Sequence, residues 1–126
     1  MKTKLAVCAL LGAVCLLAIS APIYAHHGTV SFDMSKQVEM KGTVVQLLWI
    51  NPHCILKFNV TDANGKTVLW MTEFGSPEAS AVEGWTRDTV HAGDKITAYV
   101  SVSKAGTPYG ELMGAVLPDG KMIHAK

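Results

Sequence analysis

The sequence predicts a mainly β fold: a small OB-like Greek-key barrel of five to six strands, with one short helix between the third and fourth strands. Three observations predict it. Two strand-like runs, Gln37–Ile50 interrupted at Gly42 and Gln46 and the cleanly alternating His53–Thr61, meet at an Asn-Pro corner. A helix-start signal, Ser76-Pro77-Glu78, follows the third alternating run. Turn signals then cut the remainder into short strands, an order that suits a five-stranded partly open barrel better than a plain sandwich.

The chain opens on Lys2 and Lys4, an apolar run from Leu5 to Ile19, and the exit Ser20-Ala21-Pro22-Ile23-Tyr24-Ala25. That is the charged, apolar and small-residue plan of a secretory signal peptide, and the apolar run falls short of the ~20 residues a membrane span needs. Ile23 and Ala25 suit the positions before a cut, so residues 1–25 are expected to be removed and 26–126 to form one exported, periplasmic or secreted domain with no membrane span. Removing 25 of 126 residues leaves 101, starting His26-His27-Gly28. The basic count falls from 11 to 9 against 10 acids, so the formal charge goes from +1 to −1 and offers no general attraction to nucleic acid or anionic lipid. Cys8 and Cys15 leave with the leader, and the remaining Cys54 has no partner for an intramolecular disulfide.

In the mature part, Val30, Phe32 and Met34 alternate briefly and could pair as an edge strand. Gln37–Ile50 is the first long strand, with Val38, Met40, Val44, Leu48 and Ile50 on one face and Gly42 as the expected bulge or bend. Pro52 cannot donate to a ladder and ends that strand. His53–Thr61 then alternates cleanly, placing Cys54, Leu56, Phe58 and Val60 inside and His53, Ile55, Lys57 and Asn59 outside. Cys54 is therefore expected to be buried and inert. Asn64-Gly65 is a hairpin signal leading into Thr67–Phe74, where Val68, Trp70 and Phe74 compete with Leu69 and Met71 for the core. Ser76 caps a helix that closes near Gly84, with Ala79, Val82 and Trp85 as its apolar side. Lys95–Ser103, Tyr109–Leu117 and a short run around Met122 and Ile123 complete the strands. The methionines Met34, Met40, Met71, Met113 and Met122 are scattered and read as core filler.

Ala25-His26-His27 followed by Phe32, Gly42-Thr43-Val44, Asn51-Pro52-His53, Trp70 and Glu73, Gly84-Trp85 and Gly93-Asp94 occur in this order along the mature chain. In that set the chain resembles a family of uncharacterised bacterial exported domains that begin with a double histidine after the signal peptide. The resemblance implies export and a small β-barrel, and no activity. Gly28 stands where such members often carry serine.

The chemistry has to come from the histidines. An amino-terminal histidine pairs a free amine of pKa ~8 with its ring Nδ1, and the two close a six-membered chelate on one ion. A further imidazole completes a three-nitrogen set suited to the tetragonal preference of Cu(II). His26 supplies the terminus under this expectation and His53 the third nitrogen, with His27 as local competitor and His91 and His124 as remote ones. The arrangement resembles the histidine brace of copper proteins in its terminal residue alone. Zinc is disfavoured by the lack of a Cys/His cluster at zinc spacing. No nucleophile elbow or other catalytic frame is present, so a carrier or sensor is expected rather than an enzyme. The plainer alternative is a metal-independent module whose outer strand face, with Ile55, Lys57 and Tyr99, docks a peptide, glycan or envelope protein; His26 and His27 are then an idle terminus.

Overall fold

The computed structural model describes residues 31–125. The leader, the cut after Ala25, His26, His27 and Val30 lie outside them. The strands are β1 (Val38–Leu48), β2 (Cys54–Thr61), β3 (Thr67–Phe74), β4 (Lys95–Val102), β5 (Tyr109–Val116) and β6 (Met122–His124), with helix α1 (Pro77–Val82) between β3 and β4. They hydrogen-bond in the order β3-β2-β1-β4-β5, and a parallel β3–β5 pairing closes the ring. β6 pairs with the end of β5 and stays outside it. This is the mainly β barrel with one helix that the strand order predicts.

β2 follows its alternation: Cys54, Leu56 and Phe58 are fully buried in the core cluster. β1 does not follow a single period. Its register with β2 shifts between Val44 and Gln46, so the extra residue rotates the rest of the strand by one position. Leu47 and Trp49 pack on the core, and Ile50, expected inside, is 47% exposed. The bulge thus lies at Val45 rather than at Gly42. Gly42 serves close approach instead, since a Cβ there would lie 2.7 Å from the Phe58 ring and 2.8 Å from the Asn59 carbonyl oxygen.

On β3 the competition resolves toward Trp70, Thr72 and Phe74, leaving Leu69 45% exposed. Buried Thr72 donates its hydroxyl to the Leu56 carbonyl, which lets a polar residue occupy a core position. α1 is capped as expected, with Ser76 Oγ accepting from Ala79 N–H and Pro77 in the first turn. Its buried side is different. Val82 is 85% exposed, while Ser80 is fully buried and donates to the Gly75 carbonyl. Trp85, just past the helix, is 1% exposed, packs on Phe74 at 4.8 Å between ring centroids, and donates Nε1–H to the His124 carbonyl. The edge strand expected at residues 30–34 is one antiparallel bridge, Phe32 to Ser103, and Met34 is exposed. Met40 is the only methionine among the described residues that is buried, so the core-filler expectation holds there and not at Met34 or Met122.

Candidate functional site

Outward positions on β3 and β5 bring together Glu73, Tyr109 and Glu111, and His53, just before β2, lies on the same wall toward its far end. The parallel ladder sets Met71 opposite Tyr109 and Glu73 opposite Glu111. Two carboxylates therefore face each other across the seam that closes the barrel. Tyr109 donates its hydroxyl to Glu73 Oε2. Burial first, then the hydrogen bond and charge of Glu73, push the Tyr109 phenol up to about 12, so it remains a donor throughout the neutral range. Phe32 lies against the Tyr109 ring, with centroids 5.8 Å apart.

Glu111 Oε2 is buried without a hydrogen-bond partner among the described residues. Burial first, and then the Glu73 charge, raises the Glu111 carboxyl above its usual range, with His53 pulling the other way. A carboxyl raised on folding binds its proton more tightly in the folded state. Its contribution to stability is therefore full below the unfolded-state pKa and is lost as pH rises through the folded one. Glu111→Gln should accordingly lose less stability than the parent between pH 4.5 and neutrality, measured by urea unfolding at a series of pH values. Parallel pH curves for the two proteins would contradict it.

His53 lies just past the cis Asn51–Pro52 peptide, on the exposed side of the corner that opens β2. Its Nδ1 is 3.2 Å from the Phe74 carbonyl oxygen. A carbonyl only accepts, so Nδ1 carries the proton and, in the neutral ring, Nε2 carries the lone pair. That is the second-neighbour bond that commonly orients a ligating imidazole. His91 is exposed in the loop before β4, 4.0 Å from Asp88, and His124 is exposed on β6. Cys54 is fully buried, and burial raises its thiol pKa, in keeping with an inert role.

The described part of the chain begins beside the opposite end of the seam. Ser31 accepts from Lys104 N–H, next to the start of β5, whereas Cys54 pairs with Phe74 at the far end of β3 and His53 precedes it. From the level of Tyr109 to that of His53 is about 13 Å along the strands at ~3.3 Å per residue, with three strand spacings of ~4.8 Å to cross as well. Five residues from His26 to Ser31 span about 17 Å when extended. The two legs combine to about 19 Å, a little beyond the ~17 Å of the extended arm, so a site shared with His53 needs the His53 side chain to close the remainder, while Glu73 and Glu111 lie nearer. Among the described residues, no three His, Cys, Asp or Glu side chains form a group able to hold an ion alone.

The sequence points to His53, and marks Glu73 only as part of the family resemblance. Nothing local in it marks Glu111 or Tyr109, because the β3–β5 pairing that joins them to Glu73 links residues nearly 40 positions apart. The available signal was the polar pair Tyr109 and Glu111, two apart on one face of a strand.

The ring and its polar seam define a small closed β-barrel with an ionisable outer wall. The chain belongs to the family of unknown function DUF6152, which it matches over residues 13–112. No curated protein and no solved structure matches it. Among the described residues, no helix is long and apolar enough to cross a membrane.

Proposed function

We propose that the protein is exported, is cut after Ala25, and binds Cu(II) as a periplasmic carrier or sensor. His26 contributes its amine and ring, and His53 contributes Nε2. The observation that carries the reading is the Nδ1 contact of His53 with the Phe74 carbonyl, which presets the tautomer a metal needs at an exposed wall position. Glu73 and Glu111 add negative charge to the same wall, which favours a cation. His27 is the local alternative for the third nitrogen, since it requires no reach at all.

The test begins with the intact mass of the exported protein, expected to correspond to a chain starting at His26. Protein with that terminus should take up one Cu(II), and a single alanine placed before His26 should weaken binding at least tenfold, because the amine then no longer closes a ring with the imidazole. An unchanged affinity would overturn the proposal. A second reading is favoured by Leu69, 45% exposed on the outer face beside Asn59 of β2. Together with Ile55, Lys57 and Tyr99, it would give a metal-independent surface for a peptide, glycan or envelope protein. Capture of an envelope component that survives both chelator and His26→Ala would select that reading.

A further inference from the structure

A groove of about 750 Å³ crosses the outside of the barrel over β2, β1, β4 and the β5–β6 turn. It involves none of His53, Glu73, Tyr109 or Glu111, and its volume falls in the range of small-ligand sites. Lys41 and Lys95 line it from neighbouring strands. The ladder sets Lys41 opposite Thr97 and Thr43 opposite Lys95, so the two lysines are diagonal neighbours with Cβ atoms about 7–8 Å apart. Among the described residues, neither lysine has a carboxylate within ion-pair distance. Lys95 Nζ instead donates to Thr43 Oγ1 at 2.6 Å, which holds the ammonium group over β1.

We propose that this groove binds a phosphate monoester on a short aliphatic skeleton. Two lysine ammonium groups are compact point charges with rotatable donors, suited to a tetrahedral dianion rather than to the flat, two-pronged recognition that arginine gives a carboxylate. Neutral hydrogen-bonding groups on Thr43, Asn59 and Thr97 surround the lysines, and Val116 and Leu117 form an apolar wall for the carbon skeleton. Among the described residues no aromatic side chain lines the groove, so they offer no stacking platform of the kind a nucleobase or a sugar face would use. Asp94, the one carboxylate in the lining among the described residues, accepts the His91 backbone N–H and caps its own turn.

The experiment titrates glycerol 3-phosphate into ¹⁵N-labelled mature protein and follows the amide spectrum, with metal removed by chelator so that the result is independent of the copper reading. Saturable shifts confined to Thr43, Asn59, Lys95, Thr97 and Leu117 are expected, with affinity falling as salt rises. The double variant Lys41→Gln/Lys95→Gln should bind at least tenfold more weakly with its melting temperature unchanged, while Lys57→Gln binds as the parent does. Vesicles containing phosphatidic acid, a lipid phosphate monoester, form the second arm. Capture by them that depends on both lysines places the ester in a headgroup, and binding of the soluble ester alone places it in a small metabolite. Shifts spread evenly over the surface, shifts that persist in the double variant, or no response to either probe would overturn the proposal.

Discussion

Trp85→Ala is expected to destabilise the barrel by about 3–5 kcal/mol, which in a domain of this size lowers the melting temperature by roughly 15 °C or more. Trp85 is 1% exposed and fills the space between α1 and β6, against Phe74. Truncation removes the largest fully buried side chain and also leaves the His124 carbonyl without its Nε1–H donor. The two losses separate in Trp85→Phe, which keeps most of the apolar volume and forfeits the hydrogen bond. That variant should fall between parent and Trp85→Ala in a urea titration. A Trp85→Ala midpoint within experimental error of the parent would mean that the pocket collapses around the loss and that the tryptophan does not anchor β6.

Gly110→Ala should cost about 3 kcal/mol, at the upper end of the usual range for overpacking. A Cβ at position 110 would lie 2.4 Å from Val100 Cγ1 and 2.7 Å from the Ser101 carbonyl oxygen. The first neighbour can rotate away, but the second is backbone of the adjacent strand, so β4 and β5 must separate at the point where β5 also pairs with Thr72 of β3. The substitution therefore acts on ring closure. Its signature beyond lost stability is faster hydrogen exchange along Met71–Glu73 and Tyr109–Glu111. Gly65→Ala, on an open hairpin turn at φ 80, has nothing within 4 Å of its new Cβ and should leave that exchange pattern untouched while destabilising only locally. Equal exchange in the Gly110 and Gly65 variants would contradict the assignment of Gly110 to closure.

The contrast between β2 and β1 shows how much of this was legible in the sequence. Cys54, Leu56 and Phe58 alternate with residues that stay outside, and because β2 pairs with β3 without a shift the period can be read straight into the core. In β1 the run Val44-Val45-Gln46-Leu47-Leu48-Trp49 has apolar residues at both parities, so the sequence is equally compatible with either face after Val44. The bulge that chooses between them is imposed by the curvature needed to serve two partners, β4 along its first half and β2 along its second. Bulges re-aim strands in this way without leaving a compositional mark.

The helix lies where the sequence places it, but its buried side differs for another reason. Six residues give less than two turns, too few for an apolar side to be distinguished from chance, and Ser80 is buried because the Gly75 carbonyl satisfies its hydroxyl. As for the site, an outward histidine after Pro52 was readable from alternation, but its bond to Phe74 depends on how β3 ends. The pairing of Glu73 with Glu111 depends on a parallel contact between distant strands, which no local pattern encodes.

The reading of this protein as a copper carrier rests on a chelating terminus joined to a preset imidazole on the wall. Electron paramagnetic resonance of Cu(II) bound to mature protein labelled with ¹⁵N-histidine tests that union most directly. Nitrogen hyperfine structure from the amine and two rings is expected, with loss of one ring nitrogen in His53→Ala while the His26 chelate remains. A spectrum identical in parent and His53→Ala would contradict a shared site, since the metal would then be held without the barrel wall.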